Sequence, residues 1–154
     1  MLSKTCQYAL RAMIYISKQD PPTRPVPIKE IARSIDSPEL FIAKILQDLS
    51  RQGYVSSSKG RSGGFFLTAA QMEISLKEII IATDGDQMFL GCGLGLEYCS
   101  EKRPCPIHFK YKEAREKLSE VYGSFTLLNL HSLEMKDPSA LRRSLEPLLF
   151  ETNI

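Results

Sequence analysis

The segment from residue 28 to residue 68 constrains the fold most, because it joins two short helical patterns to a glycine-rich hairpin. Apolar residues recur at helical spacing, first at Ile28, Ile31, Ala32 and Ile35 and then at Ile42, Ile45, Leu46 and Leu49. Ser37 before Pro38 predicts the N-cap of the second helix. Strands predicted at 54–58 and 65–68 flank the turn at 59–64. This order predicts a mainly α fold with a small β-hairpin, namely a helix-turn-helix followed by a wing.

A winged helix-turn-helix is typical of proteins that place the second helix in the major groove of DNA. Residues 1–70 hold ten Lys or Arg against five Asp or Glu, whereas the whole chain has a net charge of only +2, so the first half is the basic one. The expected DNA contacts lie on the second helix, at its amino-terminal end and at the hairpin tip: Ser37, Glu39, Lys44, Gln47, Arg51, Lys59 and Arg61. A solvated helix pair with an ordinary glycine turn would share these features, and both interpretations stay open.

Three of the four cysteines lie close to a histidine, with the spacing Cys92-x6-Cys99-x5-Cys105-x2-His108. Glycines and prolines predict an irregular loop at 88–106, which can fold around a bound group. Thiolates favour iron–sulfur clusters or zinc, and the spacing lacks the paired CxxC of a zinc knuckle. These four residues are therefore candidate ligands of an iron–sulfur cluster or, with less support from the spacing, of zinc. A thiol switch and a zinc-stapled protein-interaction module are the alternatives.

The segment after the loop has apolar residues at alternating spacings of four and three, close to the 3.5-residue period of two packed helices. This predicted seam consists of Ile107, Tyr111, Ala114, Leu118, Val121 and Phe125. The helix could pack on its own domain. Because the preceding domain looks complete, we expect the seam to pair with a second copy in a symmetric homodimer.

The 154 residues therefore divide into four predicted parts. These are a winged helix-turn-helix domain at 1–85, a cysteine-rich cofactor loop at 86–106, a dimerisation helix with a following short helix at 107–136, and a tail at 137–154. The sequence shows neither a membrane span nor a signal-peptide pattern, which predicts a cytoplasmic protein. It also lacks a nucleophile elbow, a phosphate loop and an HExxH motif, so we expect neither an enzyme nor a small-molecule substrate.

Several short motifs occur in an order typical of one family. They are Leu2-Ser3-Lys4, Tyr8-Ala9-Leu10-Arg11-Ala12, Ile28-Lys29-Glu30-Ile31-Ala32, Lys44-Ile45-Leu46 and Gly60-Arg61-Ser62-Gly63-Gly64-Phe65. With the three-cysteine loop behind them, the chain resembles the Rrf2 family of bacterial transcriptional regulators. The resemblance implies a homodimer on palindromic operator DNA, and it adds Lys4, Ser62 and Gly63 to the candidate DNA contacts.

The resemblance also bears on the cofactor. Members with three loop cysteines bind an iron–sulfur cluster, and the iron–sulfur cluster regulator branch uses a histidine three residues after the last cysteine, which here is His108. Nitric-oxide-sensing members use an acidic side chain on the first helix, where this chain has Gln7. The resemblance implies an iron–sulfur cluster on these four residues, with 2Fe–2S favoured over 4Fe–4S. Three features depart from the histidine-ligated branch. The first cysteine interval here has six intervening residues where that branch has five, the Gly-Cys-Gly-Leu-Gly sequence at 91–95 is not its usual one, and Ala43 stands where its recognition helix has an acidic residue. Cluster-free relatives respond to protein partners, which leaves a cluster-free regulator as an alternative.

Overall fold

The computed structural model describes residues 1–142, so the last twelve residues of the predicted tail, 143–154, lie outside the described residues. The helices are α1 (Lys4–Ser17), α2 (Ile28–Ile35), α3 (Glu39–Arg51), α4 (Ala69–Met72), α5 (Leu76–Asp84), α6 (Gln87–Leu90), α7 (His108–Ser124) and α8 (Leu127–Ser132). Strands β1 (Ser56–Ser58) and β2 (Gly64–Phe66) form one antiparallel hairpin. A 3-10 turn covers Pro138–Leu141. The predicted fold class, mainly helical with a small hairpin, is confirmed.

Helix α1 lies at the centre of the core and contacts α2, α3, α5 and α8. Its residues Met13 and Ile16 are fully buried, as are Ile35 of α2 and Leu46 of α3. Cys6 is buried too, as its apolar neighbours predicted, and this burial raises the pKa of its thiol to about 11. Cys6 therefore belongs to the core and is separate from the other three cysteines.

The turn between α2 and α3 differs from the prediction. Asp36 takes a left-handed conformation, with φ 54° and ψ 63°, and this residue reverses the chain. Helix α3 starts at Glu39 with Pro38 in the N-cap position, and the Ser37 hydroxyl donates to the Pro38 carbonyl at 3.3 Å. The predicted N-cap role of Ser37 is therefore wrong, since its hydroxyl accepts no helical N–H.

The wing is shorter than predicted, and its returning strand is attached to the segment before α2. Val26 and Phe65 exchange backbone hydrogen bonds of 2.8 and 3.0 Å. The chains pass so closely that a Cβ on Gly64 would lie 2.2 Å from the Val26 carbonyl oxygen. Glycine is required there by this close approach, which fixes the base of the hairpin against the domain.

The carboxyl end of α7 is joined to the start of α5 by backbone contacts. Leu76 donates to the Phe125 carbonyl at 2.8 Å, and Leu127 donates to the Ile74 carbonyl at 3.0 Å. Ser75 and Glu78 form a capping box at the start of α5, and Thr126 caps α8. Helix α8 then packs on α1. We call the two backbone hydrogen bonds donated by Leu76 and Leu127 the α5–α7 joint.

A histidine of α8 makes a contact with the end of α1. Nδ1 of His131 lies 2.6 Å from the carbonyl oxygen of the buried Ser17. The short helix after α7 is therefore fastened to α1 at the centre of the core. Among residues 1–142, none of the helices is both long and apolar enough to span a bilayer.

Candidate metal centre and nucleic-acid interface

The cysteine loop runs from the end of α6 to the start of α7, and short backbone turns shape it. The amide of Gly95 donates to the Cys92 carbonyl at 3.0 Å, and that of His108 donates to the Cys105 carbonyl at 3.0 Å. A bridge between Ser100 and Arg103 closes the turn between them. The sequence predicted the irregular loop but missed helix α6, which is only one turn long.

These turns bring the three predicted thiol ligands together. The Sγ atoms of Cys92, Cys99 and Cys105 all lie within 4.8 Å of one another, and those of Cys92 and Cys105 are 3.7 Å apart. All three residues are partly buried and none is in a disulfide. Three soft sulfur donors at this spacing can bind one metal ion or one face of a small cluster.

His108 reaches the same group from the first turn of α7. Its Nδ1 lies 3.2 Å from the Cys99 Sγ, and the residue is 6% exposed. Its Nε2 is buried and has no hydrogen-bond partner among the described residues. A buried imidazole nitrogen without a partner is costly, whereas imidazole is a common metal ligand once one nitrogen is free. The donor set of three sulfurs and one imidazole therefore fits an iron–sulfur cluster.

The local electrostatics differ between two of the thiols. Backbone N–H groups of Leu96 and Leu94 donate to the Cys92 sulfur and lower the pKa of that thiol to about 7. At Cys99, the Cys105 amide favours the thiolate, but lost hydration and the sulfurs of Cys105 and Cys92 outweigh it and raise the pKa. The thiolate is the metal-binding form, and the environment favours it more at Cys92 than at Cys99.

Three neighbouring residues of α7 hold the loop in place, and we call Tyr111, Lys112 and Arg115 the loop anchors. Arg115 donates to the Gly91 carbonyl at 2.7 Å, and Lys112 forms an ion pair with Glu101. The Tyr111 ring packs so closely on Gly93 that a Cβ there would lie 2.7–2.8 Å from the ring atoms. The anchors therefore grip the loop on both sides of Cys92 and between Cys99 and Cys105.

The Arg115 anchor yields a prediction for the protein without any cofactor. Replacing Arg115 with alanine removes a charged donor from the Gly91 carbonyl. The free energy needed to open the loop should fall by about 1–2 kcal/mol. We expect backbone amides at 91–106 to exchange with deuterium about 5- to 30-fold faster. Hydrogen-exchange mass spectrometry measures this effect, with the exposed Lys110→Ala on the same helix as the control. Equal protection in both variants would show that Arg115 does not hold the loop.

The predicted DNA contacts occupy α3, the hairpin tip and the start of α1. Lys44, Gln47 and Arg51 are exposed on the side of α3 opposite its buried stripe, and Arg51 pairs with Asp48 at 2.6 Å. Lys59, Arg61 and Ser62 are exposed at the hairpin tip, where Gly63 makes the tight turn. A groove of about 460 Å³ between α3 and the hairpin is lined by residues that include Gln47, Arg51 and Lys59.

The remaining predicted contacts lie at the amino-terminal ends of α1 and α3. Glu39 and Lys4, the first residues of these helices, are exposed, whereas Ser37 is half-buried. Thr5 and Lys44 line one surface groove, so the start of α1 adjoins α3. Sequence reasoning overlooked one exposed residue of this region, Leu40, although it lies four positions before Lys44. Sequence reasoning also had no local signal for the loop anchors.

Fold and site together define a class: a winged helix-turn-helix DNA-binding protein that carries a thiol-rich candidate metal centre. Residues 2–132 match the family model of Rrf2, described as an iron-dependent transcriptional regulator. The chain therefore belongs to the Rrf2 family of transcriptional regulators.

Individual relatives agree with this assignment. An Aquifex aeolicus protein named as an HTH-type transcriptional regulator is 32% identical, over 88% of this chain and 94% of its own length. The regulator NsrR of Geobacillus kaustophilus is 28% identical, over 94% and 96% of the two chains. The solved structure of CymR, the global cysteine regulator of B. subtilis, shares the fold with a TM-score of 0.70, 24% identity and coverage of 88% and 98%.

Proposed function

We propose that this protein is a homodimeric regulator whose operator binding is controlled by an iron–sulfur cluster held by Cys92, Cys99, Cys105 and His108. One observation carries the proposal: three thiols lie within 4.8 Å of one another beside a buried imidazole whose Nε2 has no hydrogen-bond partner among the described residues. The family's description as iron-dependent supports the same cofactor class. Since its target is bacterial operator DNA, the proposal places the protein in the cytoplasm.

The apolar stripe of α7 supports the homodimer. Of the predicted seam residues, five large ones are 36–43% exposed, and Ala114 is exposed as well. A continuous apolar stripe on one helix is costly in water unless another surface covers it. A second copy with the same stripe would cover it in a symmetric pairing, and two half-sites of a palindrome would then be read together.

The loop anchors supply a path from the cofactor to the DNA. When bound, the cluster adds metal–thiolate bonds that order the loop and that oxidants can break. Tyr111 contacts the loop at Gly93 and is also a residue of the seam. The carboxyl end of the same helix is fixed by the α5–α7 joint. A change of loop order can therefore shift α7 and, with it, the separation of the two α3 helices.

The proposal is tested by purifying the full chain without oxygen and measuring its visible absorption together with its iron, sulfide and zinc content. Matched iron and sulfide with visible colour is the expected result. A colourless protein with one zinc per chain would replace the proposal with a zinc-stapled module. Absence of all three would favour a cluster-free regulator.

A thiol switch is the second candidate, and one distance favours it. The 3.7 Å between the Cys92 and Cys105 sulfurs brings two thiols close enough to react after a small movement. In this case the apo protein would show operator affinity that changes with oxidation and returns on reduction. Measuring DNA binding before and after treatment of apo protein with peroxide and then dithiothreitol separates this candidate from the cluster.

The wing assignment gives a further prediction. Arg61 is exposed at the hairpin tip, where an arginine is suited to a phosphate contact. Arg61→Ala should weaken binding to all duplexes by a similar factor and reduce the slope of log affinity against log salt by about one. Fluorescence anisotropy across a salt series measures both quantities. Lys110→Ala removes the same charge from α7 and is the control; an equal effect of the two variants would contradict a wing contact.

A further inference from the structure

We infer that Leu40 reads the 5-methyl group of a thymine in the operator. This inference rests on the proposed DNA-contacting face of α3 and not on the cofactor. Leu40 is 88% exposed, more than any other large apolar side chain of the described residues except that of Met1. It is the second residue of α3. A leucine so exposed adds nothing to the core, so its side chain is free to meet a surface outside the monomer.

The position of Leu40 on the helix identifies that surface. Lys44 and Gln47 follow it at intervals of four and three, so the three side chains form one stripe. The buried stripe of Ile42, Ile45, Leu46 and Leu49 lies on the opposite side. The next residue, Phe41, is only 38% exposed, and its ring lies edge-on to that of the buried Tyr8 at 5.3 Å between centroids. Leu40 therefore shares a face with the polar residues of α3, whereas Phe41 turns towards the domain.

The charges along α3 indicate which end meets the bases. Glu39 and Leu40, at the amino-terminal end, are both unsuited to phosphate contact, one being acidic and the other apolar. The cationic residues of the helix are Lys44 and Arg51, and further cations lie on the hairpin. In a helix-turn-helix the amino-terminal residues of the second helix contact base edges. The first turn of α3 therefore faces the bases, and its later turns and the wing face the backbone.

The chemistry of the major groove then selects the target of Leu40. A leucine side chain neither donates nor accepts a hydrogen bond, so it cannot use the polar pattern of the base edges. The 5-methyl group of thymine is the apolar feature that the major groove presents. Contact between the two removes apolar surface from water on both sides. We expect the loss of one such methyl group to lower affinity about four-fold per half-site.

The test uses the full chain and a duplex selected by it from a random pool. Each thymine of the selected half-site is replaced in turn by uracil, which removes only the methyl group, and affinities are measured for the wild type and for Leu40→Ala. The expected result is one position where uracil costs the wild type about four-fold per half-site and costs Leu40→Ala nothing. Leu133→Ala, another exposed leucine outside the DNA-binding elements, should behave as the wild type.

Several outcomes would overturn the inference. Wild-type affinity that is indifferent to uracil at every thymine, or a selected half-site without a required thymine, would do so. So would a Leu40→Ala variant as sensitive to uracil as the wild type. If Leu40→Ala instead changed the oligomeric state seen by light scattering and left uracil sensitivity intact, a second copy and not DNA would cover this residue. A wild type that binds no duplex would overturn both this inference and the proposed DNA contacts, whereas loss of the cofactor alone would leave the uracil test unaffected.

Discussion

Alanine at Cys105 is expected to abolish cofactor binding completely while the fold stays intact. Removing its sulfur leaves only two thiols and one imidazole to hold the cluster. The fold should stay intact because Cys105 lies in a loop and outside the core. Iron and sulfide per chain, measured after anaerobic purification, should fall from stoichiometric values to background. The far-ultraviolet circular dichroism spectrum should not change.

The chain offers a matched control in its fourth cysteine. Cys6 is a buried residue of α1 and is separate from the loop, so Cys6→Ala should retain the full iron and sulfide content. Its cost should appear instead as a lower free energy of unfolding, by about 1 kcal/mol for a small core truncation. If both cysteine variants kept their iron, the proposed ligand set would be wrong; if both lost it, the loss would reflect general instability.

A charged residue in the seam should dissociate the dimer. Val121 is 43% exposed in the monomer, so Val121→Asp should leave the fold of one chain unchanged. In the proposed dimer it would bury a carboxylate from each copy within an apolar contact, and both charges would lose hydration. We expect a monomer by analytical ultracentrifugation at micromolar concentration, and operator affinity lower by about 100-fold or more, because the two half-sites would bind independently.

The control for this experiment separates charge from position. Lys136→Asp makes a larger change of charge at an exposed residue beyond α8. It should leave both the oligomeric state and most of the operator affinity unchanged. A dimeric Val121→Asp variant would refute the α7 seam, and the 36–43% exposed side chains would then need another partner.

Local patterns account for what the sequence predicted well. The helix-turn-helix and the hairpin each depend on residues a few positions apart. The four candidate ligands also lie within one short stretch, so their grouping could be anticipated from spacing. In each case the physical signal is contained in a single turn, helix or loop.

Other features depend on contacts that no local pattern contains. Ser37 and Pro38 matched a capping pattern, but the left-handed Asp36 moved the start of α3 to Glu39. The anchor from Arg115 to Gly91 joins residues 24 positions apart and resembles any solvated arginine in the sequence. Leu40 escaped notice because an apolar residue within a helix is usually assigned to the core. Its spacing of four from Lys44 was a local signal for the exposed face, and the structure shows that it lies there.

The α5–α7 joint also limits how the operators bound by this regulator can differ from one another in sequence. Because backbone hydrogen bonds and not a flexible linker connect α7 to the winged helix-turn-helix domain, the proposed dimer would hold its two α3 helices at one set distance in its operator-binding state. Individual bases in a promoter could then be exchanged at modest cost each, roughly 1–3 kcal/mol. A gained or lost base pair between the half-sites would instead move one half-site out of phase with the protein. The operators of this regulator should therefore vary in base sequence, while the number of base pairs between their half-sites stays constant.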